Sequence, residues 1–237
     1  AKTRMRRPHG LKKRVSGWNN EGMNRTGRSL LLPAALLVAL VAGPGLSEDK
    51  DPPTPPQVYR TFMPGAGPSA FGVVLAPYLA LCYDPLRGGV NQSWQGTLDL
   101  APTLRAKINE PATIAGTVFY EESILQPLRI EDPETVPERR FKGYRYADGA
   151  VIFDYTLDGV AVSEALRITS DGDGVERAWM VAEGGHTFYF LAEEQSDAEV
   201  VFTGGTKVSP GLWKFETGTD TDAPAPFAMT MQAKTKK

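Results

Sequence analysis

Apolar and polar residues alternate most regularly between Phe141 and Ile168. Side chains along a strand point to opposite faces in turn, so Val151, Phe153, Tyr155 and Leu157 share one face while Asp154 and Thr156 take the other. Beyond Asp158-Gly159, Val160, Val162, Leu166 and Ile168 again share a face, interrupted by Glu164. The pairs Asp148-Gly149 and Asp158-Gly159 suit two-residue hairpin turns, in which both central residues need positive φ. The pattern predicts a three-stranded antiparallel meander buried on one side.

Similar short runs recur along the chain. Tyr59–Met63, Ala70–Leu75, Leu79–Tyr83, Val90–Trp94, Thr113–Tyr120, Leu128–Ile130, Val175–Val181, Thr187–Leu191, Glu199–Phe202 and Gly211–Phe215 read as strands, separated by Pro, Gly and Asp clusters. Residues 101–112 lack a β period and read as a surface loop. Residues 217–237 read as a polar tail, in which Phe227–Met231 adds an edge strand. Short strands with turn signals every 8–12 residues, and no amphipathic helix, predict an all-β antiparallel β-sandwich over residues 58–216, of jelly-roll or related sugar-handling type.

Charge divides the chain. Residues 1–29 hold nine Lys/Arg and one Glu, and Leu30–Ala42 is an apolar run closed by Gly43-Pro44-Gly45. A basic stretch, a short apolar core and small residues after it describe a secretory signal over residues 23–47. The apolar run is shorter than the roughly 20 residues a membrane span requires. Met23 sits where such a signal would start, so residues 1–22 read as an upstream extension, and the Pro-rich residues 48–57 as a linker. The expectation is a periplasmic or secreted domain with no membrane span once the signal is removed. Residues 48–237 carry a net charge of −10, which disfavours nucleic acid as a partner. Cys82 is the one cysteine, so no intrachain disulfide forms; there is no Cys-x-x-Cys-His; and His186 is the one histidine after the leader. No cofactor or metal is therefore implied.

Candidate chemistry is sparse. Trp94 with Asp99 suggests a ring-stacking face beside a carboxylate, the combination a pyranose uses, set against plain burial of the indole beside a turn. Tyr144 and Tyr146 are further aromatic ligand candidates, set against an ordinary cross-strand role. Arg139, Arg140, Lys142 and Arg145 form a basic cluster that suits docking of an acidic partner surface, set against ordinary solvated strand charge. Glu121-Glu122, Glu131-Asp132 and Glu134 supply carboxylates, but a glycosidase needs two of them roughly 5–10 Å apart, which spacing along the chain does not specify. Asp171–Gly174 begins like a calcium loop and lacks its later ligands. His186 is a loop histidine of the kind that serves as a general base, set against a structural or merely exposed one. No catalytic residue is assigned.

Tyr59-Arg-Thr-Phe-Met-Pro64, Leu81-Cys-Tyr-Asp84, Ser93–Leu100, Gly116–Tyr120, Pro127–Ile130 and Phe141–Tyr146 follow one another in that order. This ordered set resembles a β-rich region of large exported proteins of environmental bacteria, where it accompanies c-type cytochrome (haem-binding) and sugar-dehydrogenase-like or carbohydrate-associated modules. The resemblance implies an extracytoplasmic accessory domain and supplies no catalytic residues; the haem motif is missing here. The leading expectation is a non-catalytic module that binds a polysaccharide or an exported redox or sugar-metabolism protein. The alternatives are a carbohydrate-active enzyme using Asp/Glu carboxylates and a structural envelope domain.

Overall fold

Both Asp-Gly pairs turn the chain as the alternation requires. Asp148 and Gly149 have φ of 51° and 73°, and Asp158 and Gly159 have 47° and 92°. They join β7 (Arg139–Ala147), β8 (Ala150–Leu157) and β9 (Val160–Ile168) in an antiparallel meander. The computed structural model describes residues 54–105, 110–218 and 227–235. The predicted signal and upstream extension, and most of the predicted linker, lie outside these residues. Among the described residues, no helix is long and apolar enough to cross a membrane.

The architecture is an all-β antiparallel sandwich. One sheet is a five-stranded meander of β1 (Gln57–Arg60), β2 (Phe71–Ala76), β3 (Leu79–Asp84), β4 (Gly89–Asp99) and β5 (Thr113–Glu121), in that order. The facing sheet extends the β7–β9 meander through β10 (Gly174–Val181), then β15 (Phe227–Ala233), then β12 (Ala198–Thr203). A third sheet is ordered β13 (Thr206–Ser209), β14 (Leu212–Glu216), β11 (Thr187–Leu191), β6 (Leu128–Ile130).

Aromatic contacts show where these layers meet. Phe153 of β8 stacks on Tyr83 of β3 at 3.7 Å between ring centroids, joining the first two sheets. Phe215 of β14 stacks on Phe227 of β15 at 3.8 Å, which seats the third sheet on the second. Strand β3 is buried on both faces. Leu79, Leu81 and Tyr83 enter this main core, whereas Ala80 and Cys82 face a smaller core with Met63, Ala70, Trp94 and Ala112. Burial pushes the Cys82 thiol pKa well up, leaving a packed, unreactive side chain.

Two regions depart from the sequence reading. Residues 101–112 do not form a plain loop: Ala101–Arg105 is a short helix, α1, whose first turn is capped by the Asp99 carboxylate accepting the Ala101 N–H at 2.8 Å. The tail does not end in an edge strand either. β15 lies between β10 and β12 and buries Phe227, Met229 and Met231, so the folded domain extends well past residue 216.

Candidate functional site

The structure separates Trp94 from Asp99. Trp94 is fully buried in the smaller core, and its indole N–H donates to the Thr97 carbonyl at 3.2 Å. Its ring has no face for a sugar, so it drops out as a ligand residue. Asp99 is exposed on the same strand, five residues on, which at about 3.3 Å per residue is roughly 16 Å away and on the opposite face. Its carboxylate serves the α1 cap. Tyr144 and Tyr146 do reach the surface, at 41% and 53% exposure. A bulge between Phe141 and Gly143 puts both on the inward face, beyond the rim of the core. Their rings meet nearly at right angles (87°, 5.9 Å), and the Tyr146 hydroxyl accepts the Val58 N–H at 3.1 Å. A perpendicular pair forms a corner rather than a flat platform.

The basic cluster does not act as one surface. Arg140 pairs with Glu138 at 2.8 Å and Arg145 with Asp154 at 3.2 Å, both at the surface. Lys142 is exposed and has no carboxylate partner among the described residues. Arg139 turns inward, with 2% of its side chain exposed, and is lost to docking. Its guanidinium lies 3.4 Å above the Tyr155 ring, donates to the Tyr83 hydroxyl at 2.7 Å and to the Gly88 carbonyl at 3.0 Å, and approaches Glu164 at 3.6 Å.

Glu164 is the centre of this network. It is fully buried, its Oε1 accepts the Arg177 Nε–H, and its Oε2 accepts the Tyr83 and Tyr155 hydroxyls at 3.2 Å each. Arg177 is fully buried too, 4.8 Å from the Trp179 ring, and neither of its terminal nitrogens has a hydrogen-bond partner. Gly89 makes room for it: a Cβ there would fall 2.1 Å from Arg177 Nη2. Tyrosine, arginine and carboxylate together are a set that sugar-cleaving enzymes also use. Here every member is inside the core and both Glu164 oxygens are occupied, so the set braces the two sheets.

Glu122 lies at the edge of the same interior. It is 5% exposed; Oε2 accepts the Tyr120 hydroxyl and Oε1 the Ile124 N–H, each at 3.0 Å. Burial pushes its carboxyl up to about 7, against the pull of the Arg177 charge and of these two hydrogen bonds. It also borders an open pocket of ≈ 210 Å³ with Arg87 and Gln92.

A concave surface with an aromatic side chain in it lies elsewhere. Trp213 is partly exposed in a groove of ≈ 540 Å³ whose walls carry Glu193, Glu194, Glu199 and Lys207. Its ring stacks on Phe202 at 4.5 Å and 25°, which fixes its orientation from below. The segment that walls the groove, residues 192–197, is tied to the end of β5. Gln195 exchanges two hydrogen bonds with the Glu121 backbone at 2.9 and 3.2 Å, and Glu193 accepts the Ser123 N–H at 2.9 Å and the Ser123 hydroxyl. The groove is therefore already shaped before anything binds.

Sequence reasoning missed Trp213. Its one signal was position: it lies two residues before the buried Phe215 on an inward stripe that begins after Pro210-Gly211. The carboxylate pairs read from the sequence stay apart in role. Glu131 meets His186 at 2.9 Å at the surface, Asp132 closes a turn with Thr135, and Asp171 accepts from Asp173 N–H as in an ordinary turn. Among the described residues, no cluster of three metal-ligating side chains is assembled. Comparison with known protein families, curated proteins and solved structures found no match.

Proposed function

We propose that the chain is an exported, non-catalytic accessory module that recognises a glycan in an extracytoplasmic polysaccharide or sugar-oxidation system. The observation that carries this reading is the Trp213 groove: an oriented indole in a preformed depression with carboxylates and a lysine along its walls. A pyranose places its apolar C–H face on such a ring and its hydroxyls against the polar walls. The basic leader followed by an apolar run supports export.

The enzyme alternative would draw on Tyr83, Arg139 and Glu164, whose burial keeps a substrate out. Docking through Arg140, Lys142 and Arg145 is weakened by the two surface ion pairs, which cancel most of the charge.

The test is binding of the chain to a broad polysaccharide panel, with Trp213→Ala alongside. Saturable binding to at least one glycan is expected, reduced by about 10-fold or more in Trp213→Ala, since a stacked aromatic with its buried area is worth on the order of 1–3 kcal/mol. Circular dichroism checks that the variant stays folded. Binding to nothing on the panel, or undiminished binding by Trp213→Ala, would overturn the reading.

A further inference from the structure

Two further depressions adjoin the Trp213 groove. Glu199 and Lys234 line it and also line a larger depression of ≈ 900 Å³ that carries Asp171 and Asp173. A third depression of ≈ 280 Å³, beside Asp197, shares Lys234 as well. The three depressions adjoin one another in one region along the β12–β15 side of the sandwich, with the indole in one of them.

Its charge is one-sided. Among the described residues lining it, Asp171, Asp173, Glu193, Glu194, Asp197 and Glu199 are acidic, against Lys207 and Lys234. The Lys234 ammonium, at the surface, is already engaged, donating to the Gln195 and Ser196 carbonyls at 2.8 and 3.0 Å. Asp171 and Glu193 are held by hydrogen bonds from Gln232 and Ser123, so their charges stay fixed along the walls. A concave surface lined mainly by one sign concentrates its field and favours the opposite charge.

Resting on the glycan reading, we infer that this acidic region beside Trp213 takes an amino-sugar polysaccharide, a chain of pyranose rings bearing protonated amines. Two separate features select it. Trp213 accepts the apolar face of a ring and attracts a nearby ammonium through its π-system. The carboxylates accept charge-assisted N–H bonds from successive amines and repel the carboxylates of a uronate chain. A basic peptide satisfies the second feature alone, and a neutral glycan the first alone.

The experiment is calorimetric titration of the full chain at pH 6 with hexamers of β-1,4-glucosamine, N-acetylglucosamine and galacturonate, and with hexalysine. It compares wild type, Trp213→Ala and Glu194→Gln/Glu199→Gln in 50 mM and 500 mM NaCl. The glucosamine hexamer is expected to bind at least about 10-fold tighter than the acetylated one and to lose most of that margin in high salt, as exposed charge pairs do. The double glutamine variant should bind both hexamers alike, and Trp213→Ala should weaken both. Equal affinity for the two in wild type, or preference for the uronate, would overturn the inference and leave glycan recognition standing. Hexalysine binding as tightly as glucosamine, with no effect of Trp213→Ala, would mark a plain cation-exchange surface and also overturn it. Silence from all four would overturn the inference, while the glycan reading itself stands or falls on the wider polysaccharide panel.

Discussion

Glu122 makes a quantitative demand on the fold. Its carboxyl titrates at about 7 in the native domain against an ordinary value of 4.5, because burial outweighs the Arg177 charge and the hydrogen bonds from Tyr120 and Ile124. The native state therefore holds this proton more tightly than the unfolded chain. The stability it contributes is fully present below about pH 4.5, declines as pH rises, and is gone above about 7. At 1.36 kcal/mol per pH unit over that interval, the total is about 3 kcal/mol, with most of it falling between pH 5 and 8. The side chain is nearly fully buried, so solvent screening takes little from this figure.

Urea unfolding of wild type and Glu122→Gln at pH 5, 6, 7 and 8 isolates the effect. Glutamine is similar in size and its amide oxygen still accepts the Ile124 N–H, but it does not titrate. The wild-type unfolding free energy should fall by about 2–3 kcal/mol relative to the variant between pH 5 and 8. The exposed carboxylates Asp132, Asp171 and Glu216 have depressed pKa values, so their contributions appear only at lower pH and cancel in the comparison. Parallel curves for the two proteins would show that Glu122 is hydrated, and would refute the reasoning from burial.

Glu164→Ala leaves Arg177 and Arg139 in the core without their shared carboxylate; a loss of about 3–5 kcal/mol is expected in urea unfolding, and a loss under 1 kcal/mol would show that water takes its place. Trp94→Ala empties a fully buried site and should cost about 3–5 kcal/mol, while glycan binding by the folded fraction stays at the wild-type level. A selective loss of binding in that variant would return Trp94 to the ligand site.

The parts of the fold that local pattern controls were legible. Asp148-Gly149 and Asp158-Gly159 specify their own turns, and the register of β7–β9 follows from them and from the inward stripe of Val151, Phe153 and Tyr155. β15 was read as peripheral because its place is set by pairing with β10 and β12, strands more than 20 residues away, and nothing in Phe227–Met231 encodes those partners. Trp94 stays open between ligand face and core in the sequence for another reason. Alternation identifies which residues share a face, but β4 is covered on both faces over its first half, and the covering residues Met63 and Ala112 come from flanking loops.

Glu164 interrupts an apolar inward stripe and Trp213 continues one, and in each case the surroundings decide what the residue becomes. Glu164 sits between Phe153 on β8 and Trp179 on β10, in strands that are themselves flanked, so water is shut out from both sides. A charge there persists only with partners from several strands, which Arg177, Arg139, Tyr83 and Tyr155 provide. Trp213 has Phe190 on one side and Lys207 of the short edge strand β13 on the other. Its inner half is packed by Phe202 and its outer half opens into the groove. Inward positions of similar pattern thus hold a brace in the middle of one sheet and a part-exposed indole one strand from the edge of another. Separating them requires the strand order, which local alternation does not contain.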